Sequence, residues 1–485
     1  MAWHSGRSEE PSRRALMTGA CAIGLAPVLG LSGGAALAQA PRARAGRYLL
    51  RGGVVLSLDP AIGDFDRADV LIEGAKIVAV RPNITANATV IDATNSIVMP
   101  GFADTHHHFY QSALRNVLSN GILADYFAGI VNKATPLYRA EDAYIGVLSG
   151  ALRALDSGIT SVVDISQVSN TPEHSDAMVK GLKESGVRAR YAYQRGYGPG
   201  AKYPGDIARI RKQHFTSEDQ LVTLALGTGI NKEQWQLARD LGLRNYCHVV
   251  GSVSAVAPAA VMKLGDEGLM GANNVYIHYT GAKPAEMKRV KDTGGWLSLA
   301  IPIEMAMRHG MPPLQLALDH GIRPSLSSDV ETTMAADAFS QMRAAFTLQR
   351  AELNERAIKG EKDLPKLLSA KDVVEMATIE GARTNGLEQR TGSLTPGKDA
   401  DIVMLRTDRT NVMPLNNAYG AVVTGMDTSN VDTVIVAGRI VKRGGRLVGV
   451  DMRSHAKRLA ASRDYLLEKA GWPRSVVDQM QPPGR

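Results

Sequence analysis

Between Pro100 and Gly386 the sequence alternates short apolar runs with amphipathic segments of helix length, and the number of runs constrains the fold most. One leads from Pro100 into the histidines at 106–108. The others span 159–164, 187–193, 221–226, 243–249, 274–279, 296–301 and 324–329. Strands separated by helices mark a parallel α/β architecture, and eight of them are what a closed (β/α)8 barrel needs. A doubly wound open sheet would alternate in the same way, but no Gly-rich phosphate loop follows any run. The expected fold class is therefore α/β, with a TIM (β/α)8 barrel over residues 100–387.

The stretches on either side are β-like. Tyr48–Leu56, Asp69–Val80 with a hairpin turn at Glu73-Gly74, and Val90–Asp92 precede the barrel, and apolar runs within 392–403 and 431–441 follow it. Residues 46–99 and 388–450 are expected to form one small β-sandwich domain from both ends of the mature chain. Residues 451–485 are expected to form a C-terminal helical tail.

Residues 1–38 read as an export signal. Ser12-Arg13-Arg14 precedes a Gly- and Ala-rich apolar run that ends at Ala36-Leu37-Ala38. Paired arginines, a weakly hydrophobic core and an A-x-A cleavage site are the marks of a twin-arginine-type signal peptide. Periodic glycines and Pro27 make this run a poor membrane anchor. The expected location is periplasmic or secreted, with no membrane span after cleavage. Cys21 lies in the signal, so Cys247 is the only thiol of the mature chain and no internal disulfide can form. Cys247 reads as buried packing beside His248.

The net charge is +8. Three arginines and two glutamates fall within the signal, and the remaining charge is scattered. With no basic run interleaved with aromatics, nucleic acid is not an expected partner. A small-molecule substrate is, and the oligomeric state, a homo-oligomer included, stays open.

Chemistry in such a barrel belongs at the C-terminal ends of the strands. The first run ends in His106-His107-His108. On a strand His106 and His108 share one face and His107 takes the other, which makes half a metal site. Later runs end in His248, His278 and Asp329. Arriving in the order His-x-His, His, His, Asp, these residues point to one divalent metal ion, Zn²⁺ first and Fe²⁺ second.

Val98-Met99-Pro100-Gly101-Phe102-Ala103-Asp104-Thr105-His106-His107-His108, the later His248, His278 and Asp329, and the closing Gly-Ser-Leu-Thr-Pro-Gly-Lys-Asp-Ala-Asp-Ile-Val at 392–403 resemble the amidohydrolase superfamily. The nearest branch is that of cytosine deaminase and the triazine hydrolases. The resemblance implies a metal-dependent hydrolase on a TIM barrel with a flanking β-sandwich. It also implies that His106, His108, His248 and Asp329 ligate one metal, with His278 beside the water.

Three imidazoles and a carboxylate leave an open position on the ion and lower the pKa of water there to roughly 7. Asp329 is then the expected proton acceptor and His278 the donor to the atom where negative charge develops. Many deaminases of this branch carry Glu three residues after the fifth-strand His. Gly251 stands there, which disfavours ring deamination. Glu304 occupies a place where relatives often carry Asn, and is expected at the barrel mouth as a substrate-binding group or the replacement acid. Gln111 and Arg115, in the first barrel loop, are expected to overhang the pocket and contact substrate. A second metal would need a carboxylated Lys at the end of the fourth strand; Lys232 is the nearest candidate.

The expected activity is hydrolysis of a non-peptide C–N bond in a small aromatic or N-heterocyclic molecule. Deamination or dehalogenation of a heterocycle is the alternative, followed by a metal-dependent decarboxylase and a non-catalytic periplasmic binding protein.

Overall fold

The computed structural model describes residues 46–477 apart from Val253 and Ala255. The signal expected over 1–38 and residues 478–485 of the expected tail lie outside the described residues. In chain order, β1 (Arg47–Val55), β2 (Phe65–Glu73), β3 (Lys76–Arg81), β4 (Thr89–Asp92) and β5 (Ser96–Pro100) come first. They are followed by β6 (Phe102–His107), β7 (Ile159–Ser166), β8 (Arg188–Tyr193), β9 (Val222–Thr228), β10 (Asn245–Val250), β11 (Asn274–Thr280), β12 (Trp296–Leu299) and β13 (Ser325–Leu326). The last are β14 (Ile402–Arg406), β15 (Val431–Val436), β16 (Arg439–Arg443) and β17 (Arg446–Leu447).

β6 to β13 form one parallel sheet in sequence order. The ring closes just past β13: the Asp329 amide donates to the His106 carbonyl (3.0 Å) and the His108 amide donates to the Asp329 carbonyl (2.9 Å). The residues that close the barrel are thus the candidate site residues themselves. The eight strands match the eight runs read from the sequence, and they are buried along nearly their whole length, as strands covered on both faces are.

The second sheet is mixed and joins both ends of the chain in the order β17-β16-β15-β14-β5-β1-β2-β3, with β4 beside β1. The halves meet where β14 runs antiparallel to β5, Ile402 opposite Pro100 and Arg406 opposite Ser96. Val55, Val70 and Ile77 from the first half share an apolar cluster with Ile402, Met404 and Ile435 from the second. The chain crosses from sheet to barrel at Gly101, where an added Cβ would lie 2.2 Å from Thr160 Cγ2. The closing helix Met452–Lys469 lies against the helix Ala140–Asp156. Among the described residues no helix is long and apolar enough to cross a membrane.

The Lys-Asp-Ala-Asp motif has a structural purpose. Arg188, 1 % exposed, reaches from β8 to Asp401 (Nε to Oδ2, 2.7 Å) and Asp399 (Nη2 to Oδ2, 2.9 Å). Asp401 also accepts the Ala437 amide at 2.7 Å. This buried cluster clamps the mixed sheet to the barrel. Arg188→Met should lower the unfolding free energy by about 3 kcal/mol, because Asp401 stays buried after its cation has gone, while Asp399 keeps Lys76 and Arg390. A urea unfolding series reads this directly, and a loss under about 1 kcal/mol would reject the clamp.

Candidate metal centre and active site

Five side chains converge at the C-terminal ends of β6, β10, β11 and β13. His106 Nε2 lies 3.0 Å from His108 Nε2 and 3.0 Å from His248 Nε2. Asp329 Oδ1 is 3.5 Å from the Nε2 atoms of both His106 and His108, and Asp329 Oδ2 is 3.6 Å from His278 Nε2. His107 points the other way, its Nδ1 3.0 Å from Asp104 Oδ2, as strand alternation requires.

Backbone geometry turns two of these side chains inward. His278 (φ +68°) and Asp329 (φ +59°) both sit in the left-handed region. For non-glycine residues this costs on the order of 1–3 kcal/mol each and persists where the surroundings enforce it, typically at functional sites. At His278 the strain coincides with a register shift between β10 and β11.

The donor set fits a cation. One Nε2 atom can share at most one proton, yet that of His106 faces two other imidazole nitrogens and a carboxylate. Hydrogen bonding does not account for such a cluster. Donors on a tetrahedral ion with bonds of about 2.0–2.1 Å lie about 3.3 Å apart, and the separations of 3.0 and 3.5 Å bracket that value. Burial lowers the pKa of every imidazole here, that of His248 and that of His278 to about 3, so all are in the neutral form that ligates. Burial, with Glu304 nearby, pushes the Asp329 carboxyl up to about 8, the state of a buried acid with no Lys or Arg beside it.

Glu304 is not at the mouth of the barrel. It is fully buried behind His278, where Oε1 accepts from the Ala300 amide (2.8 Å) and from His278 Nδ1 (3.0 Å). The expectation that it binds substrate is corrected: its carboxylate caps the helix turn that starts at Ile301 and aims His278. With Nδ1 carrying the proton, Nε2 of the neutral ring keeps its lone pair toward Asp329.

Gln111 and Arg115 are corrected as well. The turn Phe109–Leu114 is buried, packed into a notch of the helix Ala140–Asp156 made by Gly146 and Gly150. A Cβ on Gly146 would meet the Tyr110 carbonyl oxygen at 2.3 Å. Gln111 therefore faces inward and donates to the hydroxyls of Tyr110 (3.0 Å) and Tyr126 (2.6 Å). Arg115 pairs with Glu331 at 3.0 Å and lines a separate cavity of about 490 Å³. Lys232 is on the surface with Glu267 at 2.7 Å and cannot bridge metals. Cys247 is buried packing, its thiol pushed up to about 12 by burial.

The cavity over the cluster measures about 160 Å³. Its outer wall is Leu123, Tyr126, Phe127 and Val131, a stretch downstream of the one expected to overhang it. Gln167 and Gln194, the first residues after β7 and β8, reach it from below, and the Oε1 atom of each is buried without a partner. Met307 and His309 complete one side. Sequence reasoning assigned no role to Gln167, Gln194, Tyr126 or His309. The first two carried a usable signal, since each follows directly on a barrel strand.

Comparison with known proteins agrees with this geometry. The model of the Amidohydrolase family matches residues 97–213 and 254–441. The chain belongs to the amidohydrolase family. Like other amidohydrolases it is a metal-dependent hydrolase acting on carbon–nitrogen bonds other than peptide bonds. The 5'-deoxyadenosine deaminase of Methanothermobacter thermautotrophicus is 28% identical over 407 residues, covering 79% of this chain and 91% of that protein. The 5-methylthioadenosine/S-adenosylhomocysteine deaminase of Desulforudis audaxviator is 25% identical over 452 residues, 87% of this chain and 99% of that one. Among solved structures, an adenosine deaminase from Xanthomonas campestris with bound zinc superposes with a TM-score of 0.77 at 20% identity, covering 87% of this chain and 98% of that one. Atrazine chlorohydrolase from Arthrobacter aurescens TC1, complexed with zinc, gives 0.76 at 22%, covering 86% and 100%. These two likenesses establish that the amidohydrolase shares their fold.

Proposed function

We propose that this amidohydrolase cleaves an amide- or amidine-type C–N bond in a small, uncharged aromatic or N-heterocyclic molecule. The observation that carries the reading is the cavity wall. Among the described residues it contains no Lys, Arg or Glu; beside apolar side chains and the histidine–aspartate cluster, its polar groups are the Tyr126 hydroxyl, Thr228, His309 and the amides of Gln167 and Gln194. A charged substituent lying away from the histidine–aspartate cluster would meet no counter-ion in this wall. A volume near that of a single ring with substituents sets the size.

His106, His108, His248 and Asp329 would hold the ion, which supplies Lewis acidity and water ionisable near neutral pH; Zn²⁺ suits three imidazoles and a carboxylate, and Fe²⁺ is the alternative. Asp329 Oδ2 takes the proton of the attacking water and returns it to the leaving nitrogen. His278 Nε2, 3.6 Å from Oδ2, lies between Asp329 and the cavity and is the group through which that same proton passes on its way to the leaving nitrogen. Glu304 is a positioning residue that holds His278. Gln167 and Gln194 orient the substrate's polar edge, and Tyr126, Phe127 and Val131 exclude water.

Gly251 supports amide over ring-amine chemistry. A Cβ there would lie 2.6 Å from the Thr280 carbonyl oxygen, so no acidic side chain fits at this place. Deamination of an amino-heterocycle, the activity by which the similar deaminases are named, is the second reading. The test is a panel of neutral amides, lactams and amino-heterocycles scored for released amine, carboxylate and ammonia. Hydrolysis of amides supports the proposal, ammonia from ring amines alone supports the second reading, and no turnover of any member rejects both. With a substrate in hand, Gln194→Leu should raise KM roughly tenfold, the loss of one or two hydrogen bonds, with metal content unchanged. An unchanged KM would remove Gln194 from the binding wall.

The paired arginines and apolar run before Ala38 further support export of the chain to the periplasm. Fractionation of cells expressing the full chain and an Arg13→Lys/Arg14→Lys variant tests this: loss of the periplasmic fraction in the variant supports it, and a cytoplasmic wild type rejects it.

A further inference from the structure

The cavity of about 490 Å³ that Arg115 borders shares no lining residue with the one over the histidine–aspartate cluster. It opens between the helix Ala140–Asp156, the closing helix Met452–Lys469 and the segment that follows Asp329. Leu152, Met334, Leu447 and Leu459 give it an apolar body, and Arg115, Arg153 and His455 are among its polar groups.

The charges in this wall do not cancel. Glu331 is taken by Arg115 at 3.0 Å and by the Ser112 hydroxyl, which donates to it at 2.6 Å. Asp156 is taken by Lys442 at 2.8 Å. Arg153 is left over: its guanidinium has no ion-pair or hydrogen-bond partner among the described residues. His455 is 5 % exposed, yet its ring makes no hydrogen bond to any described residue. Burial and the Arg115 and Arg458 guanidinium groups hold its pKa below the ordinary histidine range. The field at the ring is therefore positive, and the neutral ring keeps one N–H to donate. A buried polar ring without a partner, beside an uncompensated cation, is a cost that a ligand would relieve. Its complement is one negative charge that accepts from Arg153 and His455, carried on an apolar body that covers Leu152 and Leu459. The active cavity, with no Lys or Arg in its wall, offers no such complement.

We propose that this cavity is a second ligand site, for a small organic monoanion: a carboxylate on an aromatic or aliphatic body, with Arg153 and His455 as its polar contacts. A second charge on the ligand would exceed the single uncompensated cation, and an inorganic anion would leave the apolar walls wet. The site does not depend on the reaction assigned above.

Benzoate is titrated into the metal-loaded protein by isothermal calorimetry, with acetate as the charge without the body and benzyl alcohol as the body without the charge. Benzoate should bind with a Kd below about 1 mM, roughly tenfold or more tighter than either control, and more weakly as salt is added. Arg153→Gln should weaken this binding roughly tenfold or more. Ala456→Phe, which brings a ring into the cavity from an exposed helix position, should abolish it. Both variants, checked for folding by circular dichroism, should keep the wild-type metal content. An unchanged benzoate isotherm in either variant places the carboxylate on the metal or elsewhere and overturns the site. Benzyl alcohol binding as tightly as benzoate, or no benzoate bound by the wild type at about 10 mM, overturns it as well.

Discussion

Asp329→Asn should lower kcat by at least about 10³-fold, roughly 4 kcal/mol of transition-state stabilisation, with the fold intact. The substitution is a sharp one for structural reasons. Asp329 has φ +59°, and Asn is among the few residues that tolerate the left-handed region. Its backbone closes the barrel through bonds to His106 and His108, and these do not depend on the side chain. What the amide lacks is the ability to take a proton from water and return it to a leaving nitrogen. Measuring kcat at saturating metal separates this loss from weaker ion binding. Turnover within about tenfold of wild type under those conditions would remove Asp329 from the proton path.

His106→Ala should strip the protein of its tightly held metal. Its Nε2 is the hub of the cluster, 3.0 Å from two imidazole nitrogens and 3.5 Å from the Asp329 carboxylate. Loss of one of four ligands should weaken affinity by more than the roughly 10–100-fold typical of lost supporting residues. Elemental analysis after dialysis should find under about a tenth of the wild-type content. Lys232→Ala, which removes only a surface ion pair with Glu267, should keep all of it. Full metal content in His106→Ala would place the ion elsewhere, and loss in Lys232→Ala would restore Lys232 as a ligand.

The eight strands of the barrel and its strand-end histidines were legible in the residues alone. Both are local properties: a strand buried on both faces is rich in apolar residues, and alternation along β6 separates His107 from His106 and His108 without reference to any other part of the chain. The Pro-Gly step into β6 and the β-rich ends were legible for the same reason. What Gln111, Arg115 and Glu304 do was decided only by tertiary structure. Gln111 is turned inward because Gly146 and Gly150, far along the chain, open a notch for its turn, and Arg115 is drawn away by Glu331. Glu304 is buried because the helix turn that follows β12 folds back under His278. The inward aim of His278 and Asp329 depends on left-handed backbone, a region Asp and His enter more readily than most residues but do not prefer; long-range closure of the barrel enforces it. The unpaired His309 and the two glutamine amides acquire meaning only when eight strand ends are drawn into one ring, since separations of many residues along the chain there become a few ångströms.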